Sequence, residues 1–146
     1  MSTVNLEPRG FREQQDAAAD TDAVTRSFMR YVETFQGLDP RATLRHLHVP
    51  FVFVGDHVHA SSTQRELEAF VATIMRDLAS RNYARSEIDD LHVHRLSDHA
   101  AVVSTSRTRY TDSGDAIERL GETYTLLRGS NDEWRIAVAV VHGAGR

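Results

Sequence analysis

The chain contains no cysteine and no lysine; all 17 of its basic residues are arginine. Without cysteine, disulfides, thiolate nucleophiles and thiolate-bound zinc are excluded. Without lysine, Schiff-base chemistry and a Walker-type phosphate lysine are excluded. What remains is fixed positive charge suited to two-point contacts with carboxylate or phosphate. No Gly-x-Ser-x-Gly elbow, glycine-rich phosphate loop or His-Glu-x-x-His helix occurs, so serine nucleophile, nucleotide and zinc-protease chemistry lack their signatures. No apolar stretch is long enough to span a bilayer. Residues 1–20 lack the apolar segment of a secretory signal, and a cytoplasmic location is the expectation. The net charge of −4 gives no broad attraction to nucleic acid. No cofactor is expected.

What is present suits one globular domain: 146 residues, 40% hydrophobic and 26% charged. Residues 1–15 hold Pro8, Gly10 and little apolar pattern, and are expected to form a flexible arm. The domain itself is expected over residues 16–146. From Asp16 to Phe35 the pattern is helical, with Val24, Phe28, Tyr31, Val32 and Phe35 on one face. Gly37 stops that helix, and Asp39-Pro40 starts a short second one with Leu44 and Leu47 facing inward. Phe51–Val54 reads as a strand, and a turn at Gly55-Asp56 returns it through His57–Ala60. Ser62 or Thr63 caps a third helix with Glu66 in its first turn. The apolar period then changes from 3.6 to 2. Strands are predicted over Tyr83–Leu96 (irregular near Asp89-Asp90), Ala100–Tyr110, Ile117–Arg128 and Glu133–His142, joined by short turns. Helices followed by an antiparallel meander give an α+β fold of about three N-terminal helices on a strongly curved, mostly antiparallel sheet.

The order of elements from Asp16 to His142 resembles the nuclear-transport-factor-2-like superfamily, in particular its SnoaL-like branch of cone-shaped domains with a cystatin-like fold. The most specific local piece is the last hairpin, Glu122–Arg128 followed by Trp134, Arg135 and Ile136. The resemblance implies the cone. It leaves function as a menu of isomerases, dehydratases, cyclases, epoxide hydrolases, association domains and binders. No catalytic set of those enzymes maps onto this sequence, and none is carried over.

Turn centres give a provisional register. A turn on Ser113-Gly114 sets Thr108 beside Arg119, Ser106 beside Gly121 and Ser104 beside Thr123. A turn on Ser130-Asn131 sets Leu127 opposite Trp134, Thr123 opposite Val138 and Arg119 opposite His142. One face then carries Trp134, Ile136, Val138 and Val140, grading into Thr123, Arg119 and His142. Bulky residues assign that face to the helices and a cavity. Arg107, Glu122 and Tyr124 fall on the other, convex face, where an ion-pair network is the plain reading.

On this map the candidate pocket has Phe28, Tyr31 and Trp134 in its wall and Thr123, Arg119 and His142 toward its mouth. His142 is the candidate general acid or base, against a plain reading as an exposed histidine near the chain end. Arg119 could pair with a ligand carboxylate or enolate. The pairs His46/His48, His57/His59 and His92/His94 have metal-ligand spacing on a strand, but no third ligand can be named, and no metal site is expected. The reading is a binding domain for an apolar or amphipathic small molecule. Two alternatives are a cofactor-free acid/base enzyme on an apolar cyclic substrate and a non-catalytic association domain. The unbroken apolar run Ala137–Val141 implies cover on both faces, hence a homodimer through the sheet.

Overall fold

The structure, a computed structural model, describes the backbone of residues 6–143 and the side chains of residues 21–143. In chain order the elements are helix α1 (Leu6–Phe35), helix α2 (Pro40–Leu44), strands β1 (Leu47–Val54) and β2 (Val58–Ser61), helix α3 (Gln64–Ser80), and strands β3 (Tyr83–Arg95), β4 (Ala100–Thr111), β5 (Ala116–Arg128) and β6 (Trp134–Gly143). The sheet order is β2-β1-β6-β5-β4-β3. Only the β1–β6 contact is parallel. The expected α+β cone of helices on a curved, mostly antiparallel sheet is the fold observed.

Local chemistry explains the helix ends. The Asp39 carboxylate accepts from the backbone N–H groups of Arg41 and Ala42, with Pro40 opening α2. Thr63 and Glu66 form a reciprocal capping box on α3, which satisfies backbone donors that the helix itself cannot. After α1 the left-handed residue is Leu38, with φ 53°, rather than Gly37.

Three elements differ from expectation. Helix α1 begins at Leu6, not Asp16; of the arm expected over 1–15, residues 1–5 lie outside the described residues and the rest continue the helix. Strand β1 starts at Leu47 and runs through Pro50, with a register shift between Leu47 and Val52; that irregularity is what lets a proline sit inside a strand. Buried Leu47 therefore belongs to the sheet rather than to α2.

The largest difference is in register. Strands β4 and β5 pair as the turn chemistry predicts, with Thr108 beside Arg119 and Ser104 beside Thr123. The irregularity near Asp89 is also present. The β5–β6 loop, however, sets Arg128 opposite Trp134, one residue off the expected register, with Asp132 left-handed at φ 64°. A bulge then shifts the pairing again, so that Leu126 faces Ile136 but Thr125 faces Val138, with Ala137 the extra residue. Because side chains alternate with period two, the bulge splits one expected face into two. Trp134 and Ile136 point into the core, whereas Val138, Val140 and His142 lie on the outer face with Thr125, Thr123 and Arg119. The inner face of β5 is instead Glu118, Leu120, Glu122, Tyr124 and Leu126, beside Arg107 and Val103 of β4.

Candidate functional site

That inner face and the helices enclose a cavity of about 640 Å³. Its apolar wall comes from Phe35 of α1, Phe51 and Phe53 of β1, and Phe70 and Ile74 of α3. Tyr31, Glu122 and Tyr124 lie at its floor, and Arg81, Arg109 and Glu118 along one side of its mouth.

The floor is a buried polar cluster. Arg107 and Glu122 are 1% and 4% exposed. Arg107 Nε donates to Glu122 Oε1 at 2.5 Å, and its Nη2 donates to the Tyr124 hydroxyl at 2.6 Å. Burial works against the charged guanidinium, but Tyr124 and Glu122 beside it more than offset this and hold its proton more tightly than in an ordinary arginine. Burial also raises both tyrosines: Tyr31 above its ordinary value, against the opposing pull of Arg107, and Tyr124 well above it. Both are therefore neutral phenols at physiological pH. The Tyr31 and Tyr124 rings lie edge to face, 6.1 Å apart. Tyr31 is half-buried, packed on the core yet open to the cavity.

The mouth is a second cluster. Arg81, at the end of α3, reaches both Glu118 oxygens at 3.3 Å, and Arg109 Nη1 reaches Oε2 at 2.8 Å. Burial pushes the Glu118 carboxyl upward, but the hydrogen bonds from Arg81 and Arg109 outweigh it and leave it below the usual value.

The structure brings together only part of the site expected from sequence. Tyr31 lines the cavity as expected. Phe28 is fully buried behind Tyr31 and Tyr124, at ring distances of 5.9 and 4.9 Å, and is core rather than wall. Trp134 is core too, under the Arg128 guanidinium. Thr123 and His142 do meet, Oγ1 to Nε2 at 2.9 Å, but on the outer face. His142 is exposed, reaches the cavity only at its lip, and faces Gly121 rather than Arg119. Its imidazole crosses so close to Gly121 that a Cβ there would lie 2.9 Å from Nδ1. Arg119 turns to Asp89, 3.5 Å away.

Conversely, Arg107, Glu122 and Tyr124 were read from sequence as convex-face residues; Glu122 and Tyr124 line the floor, with Arg107 buried against them. The strand glycine Gly121 signals a close approach on the outer face, that of the His142 ring, and does not mark this floor. Among the described residues no three His, Asp or Glu side chains gather as a metal would need. Among the same residues no helix is long and apolar enough to cross a membrane.

A family model described as NTF2-like protein (DUF6841) matches residues 19–144. None of the curated proteins compared with the chain matches it in sequence. Solved structures share its fold. An NTF2-like protein with a cystatin-like fold from Novosphingobium aromaticivorans superposes with TM-score 0.72 at 12% identity, over 96% of this chain and 90% of that one. An NTF2-like superfamily protein from Salmonella enterica gives 0.68 at 18%, over 89% and 94%. A ketosteroid isomerase-like protein from Erwinia carotovora gives 0.65 at 16%, over 87% and 98%. At these identities the likeness is one of fold.

Proposed function

Because the chain belongs to the NTF2-like protein family whose model spans most of its length, we propose that its cone is a binding site for an apolar or amphipathic small molecule. The observation that carries this is the open cavity of about 640 Å³. A domain serving only association has no need to leave its cone unfilled, and this volume falls within the range of ligand sites. Binding is favoured over turnover because the two glutamates that line the cavity are already held by arginines, Glu122 by Arg107 and Glu118 by Arg81 and Arg109. Native mass spectrometry of the purified protein should detect a retained small molecule. Ile74→Trp, which fills the cavity from α3, should remove it. A chain that retains no ligand and takes up no apolar probe would sink the reading.

We also infer a homodimer through the sheet. The helices cover one face; the other presents Val52, Val54, Thr123, Thr125, Val138 and Val140, all half-buried. A second copy packed face to face would cover this patch. The bulge moves the expected contact from Ala137 and Ala139, which are buried in the chain itself, to Val138 and Val140. Light scattering should give twice the chain mass at micromolar concentration, and Val140→Arg should halve it. A monomer in the unsubstituted protein contradicts the inference.

A further inference from the structure

At the cavity mouth two guanidiniums converge on one carboxylate. Glu118 receives three hydrogen bonds, two from Arg81 and one from Arg109. A guanidinium carries five N–H donors, so most of the donor capacity of this pair is unspent. The Nε–H groups of both arginines have no acceptor among the described residues but are closed to solvent, so the donors within a ligand's reach are the Nη groups. Other carboxylates stand nearby. Asp77, 3.0 Å from Arg81, has a side chain 65% exposed, and Asp56 is exposed on the opposite lip; water and salt screen both. Glu122 lies deeper and is held by Arg107. Phe53, Phe70, Ile74 and Leu120 form the adjacent apolar wall.

We propose that Arg81 and Arg109 select the ligand's head, so that the cavity takes an apolar molecule carrying one carboxylate-type anion. This rests on the reading of the cone as a small-molecule site and names the class it accepts. The head sits against the two arginines at the mouth, sharing them with Glu118, and the apolar body lies along Phe53, Phe70 and Ile74. Arg81 also pairs with Asp77, so what these guanidiniums offer an anion is unspent N–H donors rather than an excess of charge. In a half-enclosed site, an anion that takes unspent N–H donors gains charge-assisted hydrogen bonds that a neutral molecule does not.

Two fluorescent probes of nearly equal shape test this. Anilinonaphthalene sulfonate carries an anion that stands in for the carboxylate; N-phenylnaphthylamine lacks it. The sulfonate should bind roughly tenfold more tightly, as one or two charge-assisted hydrogen bonds imply. In Arg81→Gln/Arg109→Gln the affinity ratio should fall to about one. In Glu118→Gln, which releases both arginines from their carboxylate, the ratio should rise, so the test survives if the arginine variant fails to fold. A ratio near one in the unsubstituted protein, or a preference that persists without both arginines, overturns the proposal while the cavity reading stands. Binding of neither probe by the folded protein overturns both.

Discussion

Arg107→Met is expected to destabilise the protein by about 3–5 kcal/mol in denaturant unfolding, the usual cost of removing one partner from a buried ion pair. The substitution leaves Glu122 inside the core without its guanidinium and strips Tyr124 of the donor that meets its hydroxyl. The cost comes from the unpaired charge, not from any large net gain of the pair, since desolvating two ions consumes most of their attraction. Adding Glu122→Leu to Arg107→Met should therefore recover much of the loss. The magnitude also decides between the two faces. On the convex surface, where alternation alone puts them, an Arg–Glu pair would contribute about 0–1 kcal/mol. A loss below about 1 kcal/mol would mean that the β5 face is turned the wrong way.

Phe28→Ala should cost about 3–5 kcal/mol, as expected for a large aromatic removed from a packed core. Thermal denaturation should show a fall in Tm of roughly 10 °C or more for a chain of this size. Phe28 is fully buried, and its ring backs both Tyr31 and Tyr124. Its loss opens a void beneath the two phenols that set the cavity floor. A residue that merely walled the cavity would already face solvent on one side and lose less. A loss under about 1.5 kcal/mol, the scale of a partial burial term, would return Phe28 to the wall.

Much of this molecule was legible in the sequence because it is decided locally. The switch of apolar period from 3.6 to 2 marks where helices give way to strands. Asp39-Pro40 and the Thr63–Glu66 box start their helices through contacts within four residues. The β4–β5 register expected from a turn at Ser113-Gly114 is the one observed from Arg109–Glu118 onward, although a shift separates it from Tyr110–Ala116 beside the turn. The irregularity at Asp89 announced itself through paired aspartates in mid-strand. The expected pairing of His142 with Arg119 did not survive: His142 meets Thr123 instead.

The candidate site was not legible, for a specific reason. Which side of a strand faces inward depends on parity, and parity changes with every added residue. The β5–β6 loop shifts the register by one and the Ala137 bulge by another, and neither has a local signature as strong as Asn-Gly. The two shifts add to two residues beyond the bulge and so restore parity, which is why Thr123, Val140 and His142 kept one another's company while parting from Trp134 and Ile136. The parallel pairing of β1 with β6 and the docking of α1 and α3 then choose the inner face. That choice turns Glu122 and Tyr124 from surface residues into the floor of a cavity, with Arg107 buried against them. Sequence supplied the charged and aromatic side chains at period two; only the long-range packing of helices on a bulged sheet decided which of them meet.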